Sequence, residues 1–441
     1  MKLSKITLFV LAAIAATPAL ATDLLDVYRE ALGQDAVFAS ARSAQQAGQE
    51  KKSQGLSLLL PSVNLTANST YNDINFQYAS GSRALQYNNS GFGVSLVQPL
   101  FRQQSWMAYS ESELQVAISE AQYKLAAHDL ILRVAQSYFD VLMAQDSVEL
   151  TEAQKSAISE QLQQAKRNFE VGTATITDTY EAQARYDLVV AQEISAKSNL
   201  EIKKRSLEQL TNANSGELRH LGDELKMDTP QPNNVDKWVE EAQHTNLQVA
   251  IAEAAARLAD KEVSRTFGGH LPTVDLVANY TQNSANGGAF TGTGYGAADT
   301  TSKVVAIQLN MPLFQGGVTE SKYREADALR EKAKHDLENA RRTVAVQARQ
   351  AYLGVASGIA QVKALQQALK SSESLLEASK LGQGVGVRTN LDVLNAQQQL
   401  FSTRRDLYQA EYNYLLSRLR LKAAVGTLSE ADVSSVNQAL R

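Results

Sequence analysis

The sequence predicts a mixed α+β membrane protein built mainly from very long coiled-coil α-helices, with four β-strands per chain. Three observations support this prediction. The two halves of the chain repeat the same landmarks, segments of 68 and 64 residues contain no proline, and four segments alternate apolar and polar residues. A proline inside a helix costs about 3 kcal/mol, so the proline-free segments can stay helical throughout.

The internal repeat is marked by three landmarks that return in the same order, at offsets of 211, 213 and 214 residues. Such a repeat indicates that the two halves share one structure. Each half is predicted to run helix, strand, polar loop, strand, very long helix, turn and helix. The landmark pairs are LPSVNLTANSTY at 60 and LPTVDLVANYTQ at 271, PLF at 99 and 312, and Val-Gly at 171 and 385.

The N-terminus has the pattern of a secretory signal peptide, with Lys2 and Lys5 before an apolar run and an A-x-A-like cleavage site ending at Ala21. The apolar run is shorter than the ~20 residues that a membrane span needs, which favours export over a membrane anchor. The predicted segments are residues 1–21, signal peptide; 22–215, first structural repeat; 216–237, connector in an equatorial region; 238–427, second structural repeat; and 428–441, C-terminal tail.

Composition excludes several kinds of site. The chain has no cysteine, so it has no disulfide, thiolate metal site or cysteine nucleophile. Its 43 basic and 47 acidic residues are close to balance, which argues against nucleic acid as a partner. The five histidines lack metal-ligand spacing, and no nucleotide-binding or hydrolase motif is present. We therefore expect neither enzyme activity nor a cofactor or metal.

The predicted strands have one apolar and one polar face. In the first, Val63, Leu65 and Ala67 alternate with polar residues over about ten positions. This pattern suits a transmembrane barrel, although a soluble β-sandwich is an alternative. The polar stretches 72–89 and 282–302 are predicted to be exposed hairpin loops. Four strands cannot close a barrel, so two or three chains would have to share one, with eight or twelve strands.

The predicted helices follow heptad spacing, as in Leu394, Phe401, Tyr408 and Leu415. The longest would measure about 100 Å at 1.5 Å per residue. The predicted bounds are Asp23–Leu59, Gln103–Glu170, Asp178–Leu210, Trp238–Phe267, Val318–Leu381 and Asn390–Val425.

Two Val-Gly turns separate the long helices from the helices that follow. Gly172 and Gly386 can adopt a positive φ at little cost, and Asp178 and Asp392 follow six residues later. Two interpretations of Asp392 stay open. An acid in the first turn stabilises a helix N-terminus, whereas symmetry would multiply it into a ring that binds cations and sets selectivity.

Two further residues of these turns have alternative roles. Arg388 either pairs with Asp178 of a neighbouring tip or is solvated. Thr177 is a candidate N-cap for a helix that starts at Asp178.

The motifs together resemble the TolC-type outer-membrane efflux and secretion ducts, close to the enterobacterial TolC group. They are the doubled LPxxxL and PLF edges, VGTATITD, VGVRTNLDVLN, and the final LSRLRLKAAVGTLSEADV. The resemblance covers essentially the whole mature chain. It implies a homotrimer with a twelve-stranded barrel in outer-membrane lipid and a periplasmic α-helical tunnel. Its helix tips would open like an iris when a periplasmic adaptor (membrane fusion) protein and an inner-membrane RND, ABC or MFS transporter dock.

The resemblance also implies roles for particular residues. Substrates such as drugs, bile salts or proteins would pass an aperture, where Asn395 stands in place of the family's second acid. A restraint would hold the tips shut, and in it Gln383 replaces a tyrosine of the family. The implied sites are the aperture, Asp392 and Asn395; the tip restraint, Thr177, Asp178, Gln383 and Arg388; and the adaptor contact, Gly172, Thr173, Gly386 and Val387.

A different class of function also fits the residues alone. The alternative is a periplasmic coiled-coil adaptor or scaffold that does not conduct and whose β segments stay soluble.

Overall fold

The computed structural model describes residues 22–213, 216–222, 225–290 and 295–440. The predicted signal peptide, residues 1–21, lies outside the described residues. The chain divides into two compact units. Unit 1 comprises Met1–Ser40, Ala126–Ala242 and Val346–Arg441, and unit 2 comprises Ala41–Leu125 and Gln243–Ala345.

Long helices dominate the described chain, and four strands accompany them, as the sequence predicts. None of the helices in the described ranges is apolar over enough of its length to cross a membrane. The helices are α1 Leu24–Gln34, α2 Ala36–Ser57, α3 Gln103–Glu170, α4 Ile176–Thr211, α5 Val235–Thr245, α6 Leu247–Phe267, α7 Val318–Gly384, α8 Asn390–Val425 and α9 Glu430–Asn437. The strands are β1 Ser62–Tyr78, β2 Gly81–Phe101, β3 Thr273–Phe290 and β4 Tyr295–Asn310.

The predicted bounds of α3 and α8 are confirmed, whereas two predicted helices are each broken in two. The single helix expected over Asp23–Leu59 is interrupted at Asp35, whose carboxylate accepts from the backbone N–H of Phe38 at 2.6 Å. The helix expected over Trp238–Phe267 is interrupted at Asn246, whose side chain caps α6. Short Asx side chains satisfy free N–H groups and restart a helix without proline or glycine.

In unit 2 the strands form one antiparallel sheet in the order β1-β2-β3-β4. The pairing of β2 with β3 joins the two repeats, with a bulge between Pro99 and Phe101. Pro61 and Pro272 directly precede β1 and β3, where their lack of a donor N–H costs no ladder hydrogen bond.

The hairpin loops predicted over 72–89 and 282–302 are wrong. β1 and β2 pair without interruption from Ser62↔Val97 to Tyr78↔Gly81, so this hairpin turns at residues 79–80. Backbone hydrogen bonds carry the ladder through the polar stretch, and Ile74, Phe76 and Tyr78 resume the alternation on the opposite face. The second hairpin also continues beyond position 282, although its residues 291–294 lie outside the described part. The strands are therefore 16 to 21 residues long rather than about ten.

The apolar face of this sheet stays exposed in the single chain. Leu65 is 72% exposed on β1, and Val305 and Ile307 are 77% and 71% exposed on β4. Exposed apolar side chains in such a row mark a surface that contacts lipid or another chain.

A partly buried ion pair lies at the point where strand passes into helix. Arg102, directly before α3, donates to both carboxylate oxygens of Asp275 on β3, at 2.8 and 2.6 Å. Such a bidentate pair sets the direction in which α3 leaves the sheet.

The core of unit 1 lies along α3 and α8. On α3, Leu130, Val134, Tyr138 and Val141 are fully buried, and Val148 further along is half-buried. On α8 the predicted stripe is only half buried at Phe401 and Tyr408. The deeper heptad seam is shifted by one residue and consists of Val393, Leu400, Leu407, Tyr414 and Leu421.

The described parts of the connector and the tail contact the middle of α3 and each other. The hydroxyl of Tyr138 donates to the carbonyls of Thr22 and Arg219, at 3.2 and 3.0 Å. A β-bridge joins Leu221 to Leu440 after α9. The described part of the connector is thus held to the centre of α3.

Candidate functional site at the two helix tips

Two turns in unit 1 have the same backbone geometry, and we call residues 171–175 and 385–389 the tip turns. Gly172 has a φ of 76° between α3 and α4, and Gly386 has a φ of 79° between α7 and α8. No atom lies within 4 Å of a Cβ built on either glycine. The left-handed backbone, rather than lack of space, therefore favours glycine at both positions.

Matching hydrogen bonds close both tip turns. The N–H of Thr173 donates to the carbonyl of Asn168 at 2.8 Å, and that of Val387 donates to the carbonyl of Gly382 at 2.8 Å. This bond, with the positive φ before it, is the Schellman ending of a helix. The predicted repeat of the tips thus holds at the level of individual hydrogen bonds.

Each following helix begins with a capping box. Thr175 N–H and hydroxyl donate to the Asp178 carboxylate at 3.0 and 2.8 Å, and Asp178 N–H donates back to the threonine. Thr389 and Asp392 repeat these bonds at 2.9 and 2.8 Å. The predicted N-cap at Thr177 is wrong, because the box needs threonine three positions before the acid, so the cap is Thr175.

Asp392 is partly exposed, and the groups around it favour the ionised form of its carboxylate. The N–H and hydroxyl of Thr389, together with the nearby charge of Arg388, hold the pKa of Asp392 below its ordinary value. The Arg388 guanidinium lies 3.7 Å from the carboxylate. Asp392 therefore carries a negative charge at neutral pH.

The second tip turn also positions Arg388 and Gln383. A Cβ on Gly382 would lie 2.6 Å from Cγ of Arg388, so only glycine lets the arginine stem cross there. Gln383 Nε2 donates to Asn390 Oδ1 at 3.2 Å, which ties the end of α7 to the start of α8.

The chain does not join Asp178 to Arg388 directly. Among the described contacts, Asp178 is bonded to Thr175 and Arg388 is paired with Asp392. A pairing between tips of neighbouring chains stays a prediction.

Arg185 makes a link between the two tips that the sequence did not reveal. One guanidinium N–H donates to Gln398 Oε1, and another donates to Asn395 Oδ1 at 3.0 Å. The partners lie 213 and 210 residues away on α8, so no local pattern in the sequence points to them.

Small apolar clusters support this link from within unit 1. Tyr186, the residue after Arg185, packs against both clusters. Each of these two clusters in the described part of the chain has three buried residues, so polar contacts contribute a larger share of the stability there. The clusters are Ile158, Val189 and Leu394, and Leu162, Ala165 and Ala182.

The tip turns themselves expose apolar side chains. Val171, Val385 and Val387 are 72%, 77% and 79% exposed. Exposed valines beside glycines with open surroundings offer a surface that another protein can cover.

Comparison with known proteins decides the family. A model described as outer membrane efflux protein matches residues 27–213 and 238–427. The chain belongs to this family. The resemblance to TolC-type ducts inferred from the sequence is thereby confirmed.

Curated relatives of this outer membrane efflux protein cover nearly its full length. It is 34% identical over 428 residues to the outer membrane protein TolC of Escherichia coli K12, covering 95% of the chain and 85% of the relative. It is 34% identical over 424 residues to the alkaline protease secretion protein AprF of Pseudomonas aeruginosa, with 95% and 87% covered. The proteases secretion protein PrtF of Dickeya chrysanthemi is 29% identical, with 98% and 94% covered.

Solved structures show the same fold at lower identity. The CmeC outer membrane channel of Campylobacter jejuni superposes with a TM-score of 0.79 at 17% identity, covering 95% of this chain and 90% of that one. VceC of Vibrio cholerae gives 0.77 at 17% identity, with 91% and 96% covered. This outer membrane efflux protein is thus an outer-membrane exit duct.

Proposed function

We propose that this exit duct works as a homotrimer whose twelve strands close one barrel and whose helices form a periplasmic tunnel. The observation that supports it best is the four-stranded sheet with an exposed apolar face and β1 and β4 at its ends. A strand edge left open in lipid would lose its backbone hydrogen bonds, and closure between chains removes every edge. With two chains, the barrel would have only eight strands.

The tips are proposed to form the gate. Asp392 and Asn395 would line an aperture, while Thr177, Asp178, Gln383 and Arg388 restrain the closed state. Opening would move the tips apart like an iris. The ionised Asp392 and the short bond network around both tip turns support this assignment.

The exposed end of the tips is proposed as the docking surface for a periplasmic adaptor protein. Gly172, Thr173, Gly386 and Val387 would contact it, beside the exposed Val171 and Val385. An RND, ABC or MFS transporter of the inner membrane would then deliver drugs, bile salts or proteins. The duct itself would catalyse no reaction and hold no cofactor. Residues 22–215 and 238–427 would form two structural repeats joined by 216–237.

The first experiment is to purify the protein from outer membranes, measure its oligomer mass and record single-channel currents in a planar bilayer. Small, uniform, cation-preferring steps from a trimer are expected for a duct that is mostly closed. A trimer that never conducts, even with Arg388 and Asp178 both neutralised, would refute the duct and favour the scaffold. Membrane fractionation after a high-salt wash separates these two directly, because only a barrel stays in the membrane.

A further inference from the structure

In the described part of the chain, Arg185 is the only arginine of α4 that donates hydrogen bonds to two side chains of α8. These side chains are Asn395 and Gln398. The distance to Asn395 Oδ1 is 3.0 Å. The planar fork of arginine can hold two acceptors at once, so this contact fixes the spacing of α4 and α8 near the tips.

No carboxylate within the described ranges lies close enough to pair with Arg185. Its two acceptors are neutral amide oxygens. Asp187, two residues further along α4, accepts from Gln183 at 2.9 Å, and Asp392 of α8 is paired with Arg388. The positive charge of Arg185 is therefore not neutralised by an ion pair.

We propose that Arg185 is a specificity-determining residue of the aperture, which lowers its cation preference and admits anionic solutes. This inference rests on the proposed function, since it needs position 395 to line the aperture. A carboxylate at 395 would neutralise the guanidinium, whereas the asparagine accepts its hydrogen bond and leaves the charge in place. The aperture would then contain the charge of Arg185 from each chain, in addition to Arg388, the partner of Asp392.

The size of the effect follows from Coulomb's law. In water-like surroundings, the charge of one guanidinium changes the population of a permeant ion about 6 Å away by about threefold. Symmetry repeats the charge in each chain, whereas the salt of the recording solution screens it, so about threefold is the change expected from neutralising Arg185.

The test is the reversal potential of single channels in a KCl gradient. Arg185→Gln should raise the ratio of K⁺ to Cl⁻ permeability by about threefold. Arg185→Lys keeps the charge and should leave the ratio near that of the wild type. Asn395→Asp should raise the ratio as Arg185→Gln does, and adding it to Arg185→Gln should raise the ratio further.

The matched control is Arg405→Gln, which removes an exposed arginine of α8 whose contacts, Ser402 and Asp406, lie on its own helix. It should leave the permeability ratio unchanged. A conducting trimer with the same ratio in wild type, Arg185→Gln and Arg405→Gln would overturn the role of Arg185 while leaving the duct intact. Absence of conduction in every variant would overturn the proposed duct and this role with it.

Discussion

One buried carboxyl, Glu411 of α8, should make the stability of unit 1 depend on pH. Glu411 is 9% exposed and packs near Asp146 of α3, which accepts a 2.5 Å hydrogen bond from Tyr412. Burial, and then the charge of Asp146, raises the pKa of Glu411 to about 7 from an ordinary 4.5. The titratable groups around this carboxyl pair are Asp146, Glu149, His220, Tyr408 and Tyr412.

The sign of the effect follows from the raised pKa. The folded state holds the proton of Glu411 more tightly than the unfolded chain does, so its contribution is fully present below pH 4.5 and is lost as the pH rises through about 7. A difference of about 2.5 between the two pKa values corresponds to a loss of about 3 kcal/mol in the free energy of unfolding. Burial also raises the pKa of Asp146, which adds in the same direction.

Glu411→Gln keeps the shape of the side chain and removes its titration. We expect the variant and the wild type to have equal unfolding free energies at pH 4, and the variant to be more stable by up to about 3 kcal/mol at pH 8. Urea unfolding in detergent, followed by circular dichroism at one protein concentration, measures the free energy of unfolding of variant and wild type at each pH. Glu377→Gln, on an exposed position of α7, is the control and should show no pH-dependent difference. A Glu411→Gln advantage of the same size at pH 4 and pH 8 would refute the reasoning.

Two further predictions concern the second tip turn. Arg388→Ser should loosen the closed tip and raise single-channel conductance, because it removes the cation beside Asp392; unchanged conductance would count against a restraint there. Asp392→Ala should lower cation selectivity, and Asp392→Asn should do the same while keeping an acceptor for Thr389, so a wild-type reversal potential in both would exclude a selectivity role.

The sequence predicted the elements whose limits are set by local chemistry. α3 begins and ends where predicted, since PLF and the Val-Gly turn mark both of its ends. The breaks at Asp35 and Asn246 are not predicted, because neither contains the proline or glycine that most often ends a helix. A capping Asp or Asn followed by a renewed apolar pattern was the available signal.

The sequence could not predict features that depend on contacts between residues far apart in the chain. The polar stretch 72–89 forms strand because β1 and β2 hydrogen-bond to each other, whatever their side chains. The Arg185 link joins residues more than two hundred positions apart. The aperture, restraint and adaptor roles assigned by resemblance to Asp392, Arg388 and Gly386 remain predictions about an assembly of chains.

The repeat itself separates structural from functional residues at the tips. Glycine, capping threonine and acid recur in both turns with the same hydrogen bonds, so the geometry of a tip accounts for all of them. In the first repeat the residue that corresponds to Arg388 is Ala174, and in the second repeat the residue that corresponds to Arg185 is Gln399. Neither arginine is needed to form a tip turn, because the other tip forms without it. Removal of either arginine should therefore change conduction while the turns stay folded.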